Sequence, residues 1–172
     1  MTMKHHKWPH LLGACCILLI VGLITACRSE RRTDTYYGCQ MGITLDSALR
    51  SLDKEGIRYH DMVQDSSVCI FLDNINDHHG VHFDVVQMYF DGRRGKRLGM
   101  VGYSSLRSID SEIDFQTLRT ALLEEYRDNT VTDSDGLLEC KRGSLRIRLE
   151  RIDPRVYPGV YLTYTDTLYT EE

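Results

Sequence analysis

The densest group of side chains that could bind a metal ion lies between residues 73 and 84. It consists of histidines and aspartates, namely Asp73, Asp77, His78, His79, His82 and Asp84. Imidazole nitrogens with a carboxylate suit Zn²⁺, and His82 and Asp84 would face the same side of a strand. The spacing matches no established zinc motif, so the sequence favours a polar loop tip. A metal site formed by His78, His79, His82 and Asp84 is the alternative.

Nucleophilic catalysis would need a serine or cysteine beside a histidine and an orienting acid. No Gly-x-Ser-x-Gly motif is present, since residues 102–105 read Gly-Tyr-Ser-Ser and lack the second glycine. Cys69 stands between Val68 and Ile70, which predicts a buried, inert thiol. We therefore expect a protein that is not an enzyme and carries no cofactor.

Three further cysteines follow Cys27, at positions 39, 69 and 140. An odd number leaves two arrangements open, one disulfide with a leftover thiol or no disulfide. Cys39 precedes the first predicted helix, and Cys69 lies on a strand that this helix could pack against. The favoured pair is therefore Cys39 with Cys69, which would leave Cys140 free and buried.

Two groups of surface side chains could contact partners. Arg93, Arg94, Lys96 and Arg97 form a basic turn that could meet phosphate-bearing lipid headgroups or, as a solvated turn, discourage edge aggregation. The late tyrosines, with two arginines nearby in sequence, are of the kinds enriched in protein interfaces, although ordinary exposed sheet faces carry them too. These residues are Tyr157, Tyr161, Tyr164, Tyr169, Arg146 and Arg148.

The first 26 residues have the layout of a secretory signal. Lys4 and Lys7 precede an uncharged run over residues 11–26, which would form about 24 Å of helix, short of a roughly 30 Å hydrocarbon core. The run ends in Leu23-Ile24-Thr25-Ala26-Cys27, which resembles the lipobox of bacterial lipoproteins. The resemblance implies cleavage between Ala26 and Cys27 and acylation of Cys27, so that the protein is anchored to a membrane by lipid.

The same segment allows two other interpretations. Residues 12–15, Leu-Gly-Ala-Cys, also look like a lipobox but lie too close to Lys7 for an apolar run to precede them. An uncleaved anchor flanked by Arg28, Arg31 and Arg32 would leave the sequence around Cys27 as a coincidence. In enteric lipoproteins, an Asp directly after the acylated Cys retains the protein at the inner membrane. Residue 28 is Arg, so the resemblance favours the outer membrane of a Gram-negative bacterium.

Composition places the rest of the chain among globular proteins. The formal charge of −4 for 172 residues becomes about −6 without Lys4 and Lys7, which gives no reason to expect nucleic-acid binding. Residues 27–38 are a polar stretch that predicts a flexible tether, and a domain follows over residues 39–172. The expected partners are the membrane, through the lipid, and another envelope protein.

The periodicity of the domain predicts two short amphipathic helices, at 45–55 and 114–127, among antiparallel strands. Strands are expected at 57–62, 67–73, 81–90 and 98–104, then at 145–149 and 159–165. The fold class expected is α+β, with both helices packed on one face of an antiparallel β-sheet. The two halves, 39–107 and 108–172, have a similar order of elements. This similarity could come from a tandem helix-plus-β-meander repeat or from a chance likeness of two α+β segments.

Such a repeat resembles the architecture of the β-lactamase-inhibitory protein. Met41-Gly42-Ile43-Thr44-Leu45 also resembles the start of small outer-membrane assembly lipoproteins of the SmpA/OmlA type and of small uncharacterised lipoproteins from Bacteroidetes. These resemblances imply binding or scaffolding without a catalytic site, and we expect this role to act through protein contacts on an exposed sheet face. The alternatives are a metal-binding protein or metal-dependent enzyme, and an inhibitor or ligand-binding module.

Overall fold

The computed structural model describes residues 35–73, 77–105, 111–152 and 159–170. Its helices are α1 (Leu45–Lys54) and α2 (Ser111–Tyr126), and short 3-10 turns occupy Gly92–Arg94 and Arg127–Asn129. The strands are β1 (Thr35–Tyr36), β2 (Cys39–Gln40), β3 (Tyr59–Gln64), β4 (Ser67–Leu72), β5 (Asp77–His78), β6 (Val81–His82), β7 (Val85–Asp91), β8 (Arg97–Ser105), β9 (Thr130–Ser134), β10 (Leu137–Arg142), β11 (Leu145–Ile152) and β12 (Gly159–Asp166).

One eight-stranded antiparallel sheet dominates the structure, in the order β3-β4-β7-β8-β12-β11-β10-β9. The strands before α2 meet those after it where β8 pairs with β12, in a register that runs from Val160 opposite Ser105 to Thr165 opposite Met100. The ribbons β1-β2 and β5-β6 are separate two-stranded pairs. The strand β12 therefore lies beside β8, although more than fifty residues separate them in sequence.

Alternation along the strands gives the sheet one buried face. On β11, Leu145, Ile147 and Leu149 are buried while their neighbours are partly or fully exposed, as the period of two requires. The core continues across the central strands, where Met88, Val101 and other side chains are fully buried.

Each helix adds a buried stripe to this core. In α1 the buried residues are Ala48 and Leu52, four apart and so on one face. In α2 they are Phe115, Leu118, Leu122 and Tyr126, at helical spacing. The end of α1 is followed by Gly56 at φ +69°, a left-handed conformation that glycine adopts without strain.

The α+β fold class, with two short helices packed on one face of a sheet, was the wrong prediction. The described chain is mostly β, with 52% of its residues in strands. The helix α2 packs on β10, β11 and β12, whereas α1 lies beside β2, so the two helices do not form a layer over the sheet. The pattern missed polar edge strands such as β9, whose sequence Thr-Val-Thr-Asp-Ser has no apolar alternation.

A smaller correction concerns the run at 81–90, predicted as one strand. It is two, β6 and β7, because the chain leaves the β5-β6 ribbon at Phe83 and Asp84 before joining the main sheet. Phe83 is fully buried, and the Asp84 amide donates to the Ser104 carbonyl at 2.9 Å. The predicted signal peptide, Ala26 and Cys27 lie outside the described residues, as does the boundary at 107/108.

No helix among the described residues is long and apolar enough to cross a membrane.

Candidate functional site

The face of the main sheet opposite the buried core is here called the open face. Its side chains alternate with the buried ones along each strand and, except for the buried Thr163, are partly or fully exposed. It is rich in aromatic, methionine and arginine side chains. Its residues include His60, Met62, Cys69, Phe71, Gln87, Tyr89, Met100, Arg146, Arg148, Tyr161 and Thr163.

A polar bridge crosses the centre of the open face. The Gln87 side-chain amide donates to the Tyr161 hydroxyl at 3.1 Å, passing over Gly102 on the strand between them. A Cβ at Gly102 would lie 3.0 Å from Gln87 Nε2 and 3.3 Å from Tyr161 Oη, so a larger residue there would push the two side chains apart. The glycine therefore lets β7 and β12 exchange a side-chain hydrogen bond across β8.

The ends of the open face are ordered as well. His60 on β3 stacks on Phe71 of β4, with ring centroids 5.2 Å apart. The Tyr89 hydroxyl on β7 donates to Ser67 on β4 at 3.0 Å. On β11, Arg148 pairs with Glu150, a partner on the same strand. Exposed pairs of this kind contribute little stability, so the arginine stays available to an outside carboxylate.

The tyrosines singled out in the sequence do not share one surface. Tyr161 is on the open face, but Tyr164, three residues later on the same strand, points into the core and is 2% exposed. Tyr169 covers Gly42, where an added Cβ would lie 2.5 Å from its ring. Tyr157 lies outside the described residues. Both arginines that were grouped with these tyrosines in the sequence reach the open face.

The candidate metal ligands are divided between two sides of the β5-β6 ribbon. Asp77 lies opposite His82, and His78 lies opposite Val81, so His78 and His82 face opposite ways. His82 Nδ1 lies 3.0 Å from the Asp77 carboxylate at the surface. Among the described residues no group of three or more His, Cys, Asp or Glu side chains is arranged to hold a metal ion.

His78 instead enters a cluster of tyrosines that the sequence gave no reason to expect. Its Nε2 lies 2.9 Å from the Tyr164 hydroxyl, and its ring stacks on Tyr103 at 4.5 Å. Burial, and secondarily the neighbouring His79, lowers the pKa of His78 to about 4. We call the cavity beside it, of about 280 Å³, the tyrosine pocket; its walls are Thr35, Tyr36, Tyr37, Asp77, His78, His79, Tyr103, Glu125, Tyr126 and Tyr164.

The described cysteines are free thiols. Cys39 is buried in the core, its Sγ 3.7 Å from the Ala48 carbonyl, and burial raises the pKa of its thiol to about 11. Cys69 is on the open face and contacts Gln87, partly exposed where the sequence predicted burial. The structure therefore places the predicted pair Cys39 and Cys69 on opposite faces of the sheet. Cys140 is buried, and desolvation raises the pKa of its thiol.

The basic turn predicted at residues 93–97 connects β7 and β8. Arg93, Arg94 and Lys96 are exposed there, while Arg97 donates to the Gly42 carbonyl at 2.7 Å and so fastens the loop before α1. The structure brings three of the four predicted cations to one tip, and it gives the fourth a structural contact.

Comparison with family models, with curated proteins and with solved structures finds no match to this chain.

Proposed function

We propose that this protein is an envelope lipoprotein, anchored through acylated Cys27 in the outer membrane of a Gram-negative bacterium. It binds another envelope protein on its open face and performs no catalysis. The observation that supports the binding role is the residue composition of that face, together with the hydrogen bond that holds its central side chains in place. Partly exposed Phe71, Tyr89 and Tyr161 lie there with arginines, across the middle of one continuous sheet.

The open face has the properties of a preorganised interface. Tyrosine, methionine and arginine are enriched where proteins bind one another, and tyrosine and arginine carry much of the binding energy. The hydrogen bond from Gln87 holds one of these side chains, Tyr161, in place before a partner binds. Less conformational entropy is then lost on binding.

The chemistry of the described nucleophile candidates supports a noncatalytic role. The pKa values of the Cys39, Cys69 and Cys140 thiols are all raised by burial, whereas a catalytic cysteine needs the thiolate. His78 is stacked in the tyrosine cluster. Its hydrogen-bond partner there is the Tyr164 hydroxyl, and among the described residues it is not a serine or a cysteine.

The anchor is supported by the lipobox-like sequence that ends at Cys27. Residues 28–34 would span at most roughly 25 Å when extended, which keeps the domain close to the membrane surface. Intact mass of the membrane-extracted protein tests this part, with wild type beside Cys27→Ala. We expect the wild type to lack residues 1–26 and to carry acyl mass that the variant loses; retention of residues 1–26 without acyl mass would contradict the anchor.

Site-specific photocrosslinking in intact cells tests the binding face. Benzoylphenylalanine replaces Tyr89 or Tyr161 on the open face, and Lys54 on α1 or Glu124 on α2 as controls. We expect one adduct of defined mass from the open-face positions and none from the helices. The adduct should weaken when Arg148→Glu is added and persist with Arg50→Glu, a matched exposed arginine on α1. Equal adducts at all four positions, or none at the open face, would refute this binding site.

A further inference from the structure

The tyrosine pocket is built from five separate segments of the chain. Tyr36 and Tyr37 come from the β1-β2 ribbon, His78 from β5, Glu125 and Tyr126 from α2, and Tyr103 and Tyr164 from the central strands. Its volume of about 280 Å³ is at the lower end of ligand sites and corresponds to roughly nine water molecules. Only a small ligand would fit.

The electrostatics of the pocket walls favour a cation. Among the described residues two carboxylates, Asp77 and Glu125, line the cavity and no lysine or arginine does. The Arg142 guanidinium contacts one wall from outside this lining, 4.9 Å from the centre of the Tyr126 ring. Asp77 is already paired with His82 at 3.0 Å. The Glu125 carboxylate lies 3.9 Å from His79 Nε2, beyond hydrogen-bond distance, and its side chain is one third exposed. Glu125 is therefore the carboxylate that a ligand could engage.

The aromatic walls favour the same charge. Of the five tyrosines that line the pocket, four are almost fully buried, and the Tyr103 ring is already covered by His78. The partly exposed Tyr37 offers the most accessible ring, and the negative face of an aromatic ring attracts cations, most strongly when water is excluded. The cluster is rigid, since the Tyr103 hydroxyl is hydrogen-bonded to Tyr37 and the Tyr164 hydroxyl contacts both His78 and His79. Rings fixed in this way need little reorganisation to receive a ligand.

We infer that the tyrosine pocket is a binding site for a small organic cation of the substituted-ammonium class, held by the Glu125 carboxylate and the ring of Tyr37. This site is separate from the open face and does not depend on the binding role proposed for it. The ammonium group could belong to a free molecule or to a lipid headgroup, and both present the same chemistry to the pocket.

Calorimetric titration of choline into the full chain in a maltoside detergent tests the inference. We expect saturable binding of choline and none of its uncharged isostere dimethylbutanol, in which carbon replaces the nitrogen. Glu125→Gln should weaken choline binding by about tenfold, while Glu124→Gln, a matched substitution of the neighbouring acid outside the pocket, should leave it unchanged.

A second pair of variants tests the aromatic contribution. Tyr37 is partly exposed and packs against the edge of the core, so both variants are compared with wild type for folding as well as for binding. Tyr37→Phe and Tyr37→Leu both lose the hydrogen bond to Tyr103, but only the first keeps the ring. Tyr37→Phe should retain most of the choline binding, whereas Tyr37→Leu should weaken it by about fivefold or more. Circular dichroism spectra that match the wild type show that each variant is folded.

The source of the ammonium group is distinguished by a short-chain phosphatidylcholine added below its micelle concentration. Competition with choline for the same site assigns a lipid headgroup, and saturation by choline alone assigns a free cation; both support the site. Equal binding of choline and dimethylbutanol, equal effects of Glu125→Gln and Glu124→Gln, or absence of choline and lipid binding to the folded wild type would overturn it.

Discussion

Acidification should destabilise the folded domain through His78. The pKa of this histidine falls from its ordinary 6.5 to about 4 in the folded protein, chiefly because burial disfavours the charged ring. The unfolded chain therefore takes up the proton first as the pH is lowered. The stability that depends on neutral His78 is fully present above pH 6.5 and is lost as the pH falls towards 4.

The size of the effect follows from these two values. Within that window, each unit by which the pH falls lowers the free energy of unfolding by about 1.4 kcal/mol. Between about pH 7.5 and pH 5 the loss from His78 alone amounts to roughly 2 kcal/mol. A loss of that size is a large fraction of the stability of a small domain.

Urea unfolding followed by circular dichroism at the two pH values measures the loss. Because the rest of the chain is the same in both proteins, the informative quantity is the difference between wild type and His78→Phe, which keeps a ring against Tyr103 and has no proton to gain. We expect the wild type to lose roughly 2 kcal/mol more than the variant. Tyr164→Phe removes the hydrogen bond but not the burial, and should keep most of the wild-type pH dependence.

An equal loss of stability in wild type and His78→Phe would refute the argument that buried, neutral His78 makes the fold sensitive to acid. A loss that disappears in Tyr164→Phe would show that the hydrogen bond, and not burial, is the main cause.

Two further predictions concern the core. Leu122→Ala removes a fully buried side chain of α2 and should cost about 2–5 kcal/mol of unfolding free energy by urea unfolding; the partly buried Leu123→Ala is the control, and an equal cost for both would contradict the helix orientation. Alkylation with iodoacetamide at about pH 8, read by peptide mass spectrometry, should modify Cys39 at least about a hundredfold more slowly than the same cysteine in urea, because the pKa of its thiol is about 11; rapid modification in the folded protein would contradict its burial.

Local patterns in the sequence predicted many of the elements. The stripe at Leu45, Ala48, Leu49 and Leu52 predicted a helix at 45–55, and α1 spans Leu45–Lys54. The alternation of Leu145, Ile147 and Leu149 predicted a strand with one buried face, as β11 has. Both patterns depend on the repeat of a helix or strand, which nearby residues determine.

Local patterns predicted less about the candidate surfaces. Tyr161 and Arg148 were singled out by residue type, and both reach the open face. Tyr164 was grouped with Tyr161, although a spacing of three places them on opposite faces of a strand. Gly102 gave no signal, because its role depends on Gln87 and Tyr161 from the two neighbouring strands.

The sequence by itself determined the helices, the strands with apolar alternation, the acidic charge of the domain and the lipobox-like segment ending at Cys27, since each depends on composition or on residues close together in the chain. Only the tertiary structure decided that β8 pairs with β12, that the protein is mostly β, and that Tyr37, His78, Glu125 and Tyr164 line one pocket. The physical reason is that pairing between distant strands depends on how the whole core packs, and no local period encodes it.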